Sequence, residues 1–254
     1  MPYRGMMPGT HFTRTLRMKT IGLIGGMSHE SSAEYYRLVN QGMKERLGGH
    51  NNARSVMVTV CFDDIVRMQQ EGRWDDAGQL LAQAAGQVQA AGADFVLLCT
   101  NTMHEVAGAI EEALRIPFIH IVDPTAQALK VAGITRVGLL GTRFTMERPF
   151  YIDRLRGRHG IEAIVPDAAG RDAVHALIYD ELCHGVISEP SREVVLRVID
   201  QLVERGAQGI ILGCTELTLL VQPEHTTTPL FDTAGLHANA AVDLALASDI
   251  HVEN

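Results

Sequence analysis

The sequence repeats itself, and this internal repeat limits the fold more than any other feature. Three segments of the first half return in the same order in the second half, at a nearly constant offset. Chance similarity between generic strand and helix sequences would rarely give three ordered matches. The repeat therefore predicts two similar lobes related by a pseudo-twofold axis. The matching pairs are TIGLIGGMSHESSAEYY with RVGLLGTRFTMERPFY, QAAGADFVLLCTNTMHE with VERGAQGIILGCTELTL, and PFIHIVDPTAQAL with TPLFDTAGLHANA.

Each half alternates short β-branched runs with longer amphipathic segments. Short apolar runs bounded by turn residues predict strands that are buried on both faces. Such runs occupy residues 20–26, 55–60, 94–100, 117–121, 136–141, 161–166, 209–214 and 228–232. Helical spacing of apolar residues predicts helices between them, including the segments around 145–157, 171–184 and 191–205. The alternation predicts an α/β protein in which each lobe is a parallel sheet flanked by helices.

The domain boundaries follow from the repeat. Residues 1–17 lack periodicity and carry three Arg and no acid, so we expect a disordered extension, with a basic targeting arm as the alternative. We assign residues 18–121 and 233–254 to an N-terminal lobe, and residues 122–232 to a C-terminal lobe. Strand ends from both lobes would then face one cleft, where ligands of such sheets bind.

Composition narrows the function. Acidic residues exceed basic ones by 30 to 22, which argues against a nucleic-acid binder. Hydrophobic residues make up 46% of the chain, yet no apolar run approaches the length of a membrane span. The four cysteines are far apart, without zinc-ligand spacing, and without a secretory signal they predict reduced thiols in a cytoplasmic protein. We therefore expect a small-molecule partner rather than a nucleic acid or a membrane.

The repeat places a threonine and a cysteine at matching strand ends. Eight residues after Gly92 comes Thr100, and eight residues after Gly206 comes Cys214. Two groups on opposite faces of a substrate suit the removal of a proton from one side of a carbon and its return on the other. A thiol is a reasonable base, and a helix N-terminus would lower its pKa. A buried core cysteine is the alternative for Cys214, made less favourable by its place at a strand-to-helix corner.

Polar residues follow both corner positions. Backbone N–H groups at the start of a helix can hold a carboxylate, and polar side chains beside them would assist. His104 comes four residues after Thr100, so it would either polarise that hydroxyl or pack in the cleft wall. The candidate substrate-binding residues at the two corners are Asn101, Thr102, Thr215 and Glu216.

The sequence contains no pattern typical of a cofactor-binding site. Pyridoxal phosphate needs a Schiff-base lysine, and Lys19, Lys44 and Lys130 all stand at unsuitable places. Eleven histidines include no H-x-x-H or H-x-x-x-H pair with acidic company. The run GLIGG lacks the spacing of a dinucleotide fingerprint and predicts a tight strand-to-helix turn instead. We therefore expect neither a metal nor an organic cofactor.

Four motifs, in order and spacing, resemble those of the cofactor-independent aspartate/glutamate racemases. They are IGLIGGMSHESS, TNTMH, LLGT and GCTE, and the likeness runs from Met18 to the last helix. It is closest to the amino-acid racemases that open with G-G-M-S. The resemblance implies two α/β lobes, a substrate between them, and two cysteines acting as opposed bases without pyridoxal phosphate. Met27 and Thr142, which lie within these motifs, are expected to bind the substrate, and the assembly is expected to be a homodimer.

The chain departs from this family at the first cysteine. The second family cysteine falls on Cys214, whereas the first, in C-N-T-x-H, falls on Thr100. Cys99 comes one residue earlier, and on a strand it should point the opposite way. The resemblance thus implies an acid–base pair made of Cys214 and Thr100.

A second departure concerns the side chain of the substrate. Aspartate-type members resemble Y-E-x-x-K-x-G where this chain reads YDELCHG, so their lysine falls on Cys183. The arginine usual after the second strand falls on Gln69 or, as a second choice, on Arg67. Losing either cation weakens selection of a dicarboxylic substrate. We expect a small α-amino acid with an acidic or amide side chain, glutamate or aspartate first, with L-biased or broad specificity.

Two other function classes stay open. A single cysteine acting as acid on the same fold would suit a decarboxylase or a cis–trans isomerase. A non-catalytic two-lobed protein that binds a small molecule would not need a thiol at a strand end. The G-G-M-S and T-N-T-M-H motifs favour the racemase.

Overall fold

A computed structural model describes residues 18–247 of the protein. The predicted extension over residues 1–17 and the final residues 248–254 lie outside this range. The elements of the first half are β1 (Ile21–Gly25), α1 (His29–Leu47), β2 (Ser55–Thr59), α2 (Phe62–Gln70), α3 (Trp74–Ala90), β3 (Phe95–Leu98), a 3₁₀ helix (Thr102–Val106), α4 (Ala107–Ala113), β4 (Phe118–Ile119) and α5 (Val122–Val131).

The second half repeats this order of strands, with two helices after its first strand where the first half has one. Its elements are β5 (Arg136–Gly141), α6 (Arg143–Glu147), α7 (Pro149–His159), β6 (Glu162–Ile164), α8 (Ala168–Ala176), a π-helical turn (Leu177–Glu181), a 3₁₀ turn (Leu182–His184), α9 (Glu189–Glu204), β7 (Ile210–Gly213), α10 (Leu217–Leu220), a 3₁₀ turn (Pro223–His225), β8 (Leu230–Asp232) and α11 (Thr233–Leu246).

The eight strands form two four-stranded parallel sheets, which confirms the predicted α/β class. The strand orders are β2-β1-β3-β4 and β6-β5-β7-β8, so the two sheets have the same topology. Ile21 of β1 pairs with Phe95 of β3, and Gly138 of β5 pairs with Ile210 of β7. Because the strands are parallel, their carboxyl ends lie at one edge of each sheet. Strand β3 ends two residues before Thr100, and strand β7 ends directly before Cys214, so both residues lie at these edges.

Both faces of each sheet are covered, as the near-continuous apolar strands predict. Four clusters of buried apolar side chains flank the two sheets, two to a sheet. Helix α11 packs against the first sheet, where Ala234, Ala238 and Val242 join the cluster that holds Leu23 and Val39. The chain thus returns from the second half to the first, and this crossing brings Thr233 beside the first sheet's site residues.

Two predicted helices differ in detail from the structure. The predicted helix around 145–157 is broken at Arg148, whose ψ of 146° is extended. Pro149 follows, and a proline disfavours helical backbone at the residue before it. The predicted helix over 171–184 is regular only to Ala176 and then widens into the π-helical turn. Glu181 in that turn accepts a hydrogen bond from Ser191 Oγ (2.5 Å), which ties the turn to the start of α9.

The tight turn predicted after β1 is present. Gly26 has a φ of +93°, and a Cβ there would lie 2.2 Å from the carbonyl oxygen of Val60. Only glycine accommodates both the positive φ and this close approach. The turn delivers Met27 and Ser28 to the carboxyl edge of the first sheet. Across residues 18–247, no helix has the length and apolar character that crossing a bilayer requires.

Candidate active site

A cavity lies between the two sheets at their carboxyl edges. It is lined by nearly every residue that sequence analysis nominated, and the exceptions are His104 and the second-choice residue Arg67. Both halves of the chain contribute, so the cavity is the predicted interlobe cleft. The lining residues are Met27, Ser28, Phe62, Gln69, Thr100, Asn101, Thr102, Met103, Thr142, Ile178, Tyr179, Cys183, Gly213, Cys214, Thr215 and Glu216.

The Cys214 corner is built around the carboxylate of Glu216. Cys214 Sγ and Thr215 Oγ1 donate hydrogen bonds to Glu216 Oε2, at 3.0 and 2.8 Å. Ser28 Oγ, which comes from the other half of the chain and is the N-cap of α1, donates to Glu216 Oε1 at 3.0 Å. Glu216 is only 5% exposed. The thiol therefore has a fixed proton acceptor, and that acceptor is held from both lobes.

The pKa of Cys214 is shifted in the opposite direction to the one that the sequence predicts. Burial raises the pKa of this thiol well above its ordinary value, and the charge of Glu216 raises it further. A helix N-terminus was expected to lower it, but α10 has only four residues and begins at Leu217. A helix this short contributes little dipole. Cys214 is consequently a thiol at rest, and its proton points at a carboxylate.

The Thr100 corner is made differently, although it occupies the matching place. Thr100 is half-buried and lies two residues after the end of β3, where its backbone N–H donates to the carbonyl oxygen of Leu98 (2.9 Å). The third residue of this corner is Thr102, and its hydroxyl bonds those of Thr142 (2.9 Å) and Thr145 (3.3 Å) from the other lobe. The corner therefore holds the two lobes together, and it has no carboxylate where the other has Glu216.

His104 does not polarise the Thr100 hydroxyl, so that interpretation is wrong. Nδ1 of His104 bonds the carbonyl oxygen of Thr100 (2.8 Å), and Nε2 accepts from the backbone N–H of Ile121 (3.2 Å). Both ring nitrogens are thus engaged with backbone, which fixes the neutral tautomer with its proton on Nδ1. Burial lowers the pKa of His104 well below its usual range. The side chain packs behind the cleft wall, as the alternative interpretation held.

Asn101 presents an acceptor without a protein partner. Its Nδ2 donates to Thr233 Oγ1 (2.9 Å), and Thr233 in turn donates to the carbonyl of Leu212 (2.9 Å). Its Oδ1 is buried and has no hydrogen-bond partner among the described residues. Buried polar atoms are normally satisfied, so an orphaned acceptor in a cleft wall is suited to a ligand N–H.

The remaining wall of the cleft is uncharged. Gln69 is buried, its Nε2 lies 3.0 Å from Met103 Sδ, and its Oε1 accepts from Tyr179 Oη at 3.4 Å. Burial, with a smaller contribution from Glu216, raises the pKa of Cys183 to about 12. The second-choice residue Arg67 is ion-paired with exposed Asp64 (2.5 Å) and does not line the cavity. Of the two predicted positions for a guanidinium counterpart, the cleft therefore uses Gln69.

Cys99 takes no part in the cavity. It is fully buried in the cluster that includes Leu97 and Ala238, and burial raises its pKa far above the ordinary thiol value. The alternation of side chains along a strand predicts that Cys99 points away from the side that Thr100 faces. Of the two neighbouring positions at the end of β3, only Thr100 faces the cleft.

Sequence reasoning missed several lining residues. Ser28 and Tyr179 lie in the motifs G-G-M-S and YDELCHG, in which only Met27 and Cys183 were predicted to be site residues. Phe62 follows β2, and its place at the end of a strand was the available signal. The contact between Ser28 and Glu216 joins residues 188 positions apart, which no local pattern could reveal.

Within the described residues, no group of three or more His, Cys, Asp or Glu is arranged to hold a metal ion. His104, His120 and His237 do cluster behind the cleft, with ring centroids 4.5 Å apart for the first pair. His237 bonds Tyr35 Oη (2.9 Å) and the carbonyl of Ile119 (2.8 Å), so its nitrogens are engaged as well.

Comparison with known proteins agrees with the two-lobed α/β fold. The sequence model of the Asp/Glu/Hydantoin racemase family matches residues 24–241. A crystal structure of a candidate Asp/Glu racemase from Yersinia pestis is 51% identical, with a TM-score of 0.85 over 91% of this chain and 100% of that one. An aspartate racemase homologue from Pyrococcus horikoshii OT3 is 30% identical, with a TM-score of 0.79 over 90% and 99% of the two chains.

A curated relative extends the comparison to an amino-acid racemase. The broad specificity amino-acid racemase RacX of Bacillus subtilis (strain 168) is 24% identical over 233 residues, which are 89% of this chain and 98% of RacX. These relatives support amino-acid racemase activity. With its two matching parallel sheets and the cleft between them, the chain belongs to the Asp/Glu/Hydantoin racemase family.

Proposed function

We propose that the protein is a cofactor-independent amino-acid racemase in which Cys214 and Thr100 act on opposite faces of the α-carbon. The observation that carries this proposal is the hydrogen bond from the Cys214 thiol to Glu216 Oε2 (3.0 Å) inside the interlobe cleft. This contact places a thiol that can act as a base next to a carboxylate that can accept its proton. The resemblance assigns this side of the cleft to the L-enantiomer.

The substrate's polar groups have partners in the cleft. The α-ammonium group suits Asn101 Oδ1 and the carboxylate of Glu216, because both accept hydrogen bonds. The α-carboxylate suits the hydroxyl and backbone donors of Thr102 and Thr215. Binding of a cation beside Glu216 also favours the thiolate form of Cys214, since an adjacent positive charge lowers a thiol pKa.

The reaction proceeds in balanced proton transfers. Glu216 takes the thiol proton of Cys214, and the resulting thiolate removes the α-proton of the L-substrate. The carbanion then takes a proton on its other face from the Thr100 hydroxyl. Water in the cleft passes the proton that Glu216 accepted to the Thr100 alkoxide, so both groups return to their starting states. The reverse direction runs through the same steps. A threonine hydroxyl is a far weaker acid than a thiol, so delivery from the Thr100 face is slow.

This asymmetry gives the test. The equilibrium constant of racemisation is one, so kcat/KM is equal in both directions. The difference between the Cys214 and Thr100 faces is therefore measured as exchange of the α-proton with solvent. In D₂O, Cys214 returns deuterium to the face it deprotonated, so α-deuterium enters the L-substrate faster than inversion occurs. ¹H NMR of amino acids incubated with the enzyme measures exchange, and circular dichroism measures inversion. Exchange that never exceeds inversion contradicts the proposed asymmetry.

The same experiment separates the other function classes. A decarboxylase would release CO₂ from a malonate-type acid without exchanging amino-acid α-protons, and a binding protein would exchange none. The proposed reaction uses protein groups alone. We therefore expect activity to survive dialysis against EDTA, and metal-restorable loss of activity would contradict a cofactor-independent mechanism.

A further inference from the structure

The cleft has an unusual charge balance for a family of acidic amino-acid racemases. Among the described residues, Glu216 is the carboxylate that lines it, and no lysine or arginine does so. A bound α-amino acid brings one ammonium and one carboxylate of its own. The ammonium matches Glu216, and the α-carboxylate matches hydroxyl and backbone donors. A second carboxylate on the side chain has no charged counterpart.

The uncharged wall would meet the substrate's side chain. It consists of Gln69, Tyr179 and Cys183, with the thioether of Met103 behind Gln69. Gln69 is 6% exposed, and the Cys183 thiol, with its pKa of about 12, is uncharged near neutral pH. The wall thus offers amide, phenol and thiol groups, which hydrogen-bond neutral side chains but do not neutralise an anion.

The energetic consequence favours a neutral side chain. Enclosing a carboxylate without a paired cation is strongly unfavourable, because the lost hydration is not replaced. The charge of Glu216 in the same cavity adds repulsion between like charges. An amide of the same size has neither penalty, and it can donate to Gln69 Oε1 or Tyr179 Oη. The guanidinium of Arg67, the second-choice counterpart of the family arginine, is ion-paired with Asp64 and does not line the cavity.

We propose that this enzyme acts on α-amino acids with neutral side chains and favours asparagine and glutamine over aspartate and glutamate. The inference rests on the proposed racemase function and deepens it. It revises the order of substrates that the family resemblance implied, because the position of the family lysine holds Cys183.

Isosteric pairs provide the test. The enzyme is incubated in D₂O with L-asparagine, L-aspartate, L-glutamine or L-glutamate, and with L-methionine and L-alanine as further neutral substrates. The initial rate of α-deuterium incorporation at subsaturating concentration gives the relative kcat/KM for exchange. ¹H NMR also verifies that the side-chain amides stay intact. We expect each amide to exceed its acid by at least about tenfold, since a charge difference at an enclosed site is worth at least that factor.

The position of the missing cation is tested by Cys183→Lys, which should raise the aspartate-to-asparagine ratio by at least about tenfold. Val131→Lys is the matched control, because Val131 is 81% exposed at the end of α5 and the substitution adds the same charge outside the cleft. That variant should keep the wild-type ratio. If Cys183→Lys does not fold, the wild-type ratios alone still decide the question.

The outcomes separate the two proposals. Faster exchange of aspartate and glutamate than of their amides overturns the preference for neutral side chains but leaves the racemase intact. Exchange with none of the six amino acids overturns the racemase and the preference with it.

Discussion

The corners at Thr100 and Cys214 occupy matching places in the two lobes but use their neighbours differently. In the second lobe, the residue two positions on is Glu216, which accepts the proton of the Cys214 thiol at 3.0 Å. In the first lobe it is Thr102, whose hydroxyl bonds Thr142 across the cleft at 2.9 Å. The same backbone frame therefore holds a thiol–carboxylate pair on one side and a contact between the lobes on the other.

The comparison teaches that a duplicated fold does not impose a symmetric mechanism. The Cys214 corner holds the thiol that we propose as the base, and the carboxylate of Glu216 accepts its hydrogen bond. Within residues 18–247, the Thr100 hydroxyl has no acid or base as a hydrogen-bond partner, since both ring nitrogens of His104 bond backbone groups. Proton transfer is thus expected to be fast on one face of the substrate and slow on the other.

Removing the thiol should give the largest effect. Cys214→Ser replaces an ionisable thiol by a hydroxyl, so we expect both exchange and inversion to fall to background. Cys99→Ala is the matched control, because it removes the thiol that is buried in the core of the other lobe. NMR exchange in D₂O and chiral analysis measure the two activities. Near-normal inversion in Cys214→Ser, or its loss in folded Cys99→Ala, would show that the reactive group is misassigned.

Restoring symmetry should give the next largest effect. Thr100→Cys places a second thiol at the slow corner, and general acid–base catalysis is typically worth about 10²–10⁴-fold. We expect inversion to rise within that range, and the ratio of exchange to inversion to fall toward one. The measurement is the same pair of rates on a single substrate. An unchanged ratio in a folded variant would mean that Thr100 is not the group on the second face.

Removing the acceptor should slow exchange by about 100-fold, near the lower end of the range for a general base, since water can replace it. In Glu216→Gln, the Cys214 thiol must lose its proton to solvent. Because burial still holds the pKa of Cys214 above its ordinary value, the thiolate fraction grows about tenfold per pH unit below that pKa. We therefore expect the exchange rate of the variant to climb steeply with pH from 6 to 9, whereas the wild-type profile is flatter. Parallel profiles would exclude Glu216 as the acceptor.

The histidines that are buried behind the Thr100 corner should make the protein's stability sensitive to acid. Burial lowers the pKa of His237 to about 4 and that of His120 to about 2. Both are neutral in the folded protein, while in the unfolded chain a histidine protonates near pH 6.5. The unfolded state thus binds more protons below this pH, so the free energy of unfolding falls as the pH drops. For His237, the loss between pH 6.5 and 4 is up to about 3 kcal/mol, from about 1.36 kcal/mol per pKa unit.

Urea unfolding at several pH values checks this effect. His237→Gln keeps an N–H donor for the carbonyl of Ile119 but does not titrate, so its stability should depend less on pH than that of the wild type. His50→Gln is the control, since His50 is exposed. Identical pH slopes for wild type and His237→Gln would contradict the assignment of this acid sensitivity to His237.

The smallest effect is expected from the lobe contact itself. Thr102→Val removes the hydroxyl that bonds Thr142 and Thr145 and keeps the side-chain shape. A neutral hydrogen bond contributes about 1 kcal/mol net, and leaving its buried partners unsatisfied adds to that. We expect a loss of about 1–3 kcal/mol in the free energy of unfolding, measured in urea. An unchanged stability would indicate that these hydroxyls do not hold the lobes together.

The sequence alone determined the architecture and the identity of the two corner residues. Eight strands, two matching sheets and the strand-end positions of Thr100 and Cys214 could be predicted, because strand and helix periodicities are local and the repeat aligns one lobe with the other. The opposite direction of Cys99 followed from strand alternation. The break at Arg148 was also readable, since Pro149 stands beside it, although the periodicity masked it.

The tertiary structure decided the protonation states and the partners. Whether Cys214 is a thiol depends on how deeply the cleft buries it, and its neighbour Glu216 is held by Ser28, which lies 188 residues away. Whether His104 faces Thr100's hydroxyl or its carbonyl depends on where the backbone of Ile121 passes. Desolvation and long-range hydrogen bonds arise only when distant segments pack together, so no local pattern in the sequence encodes them directly.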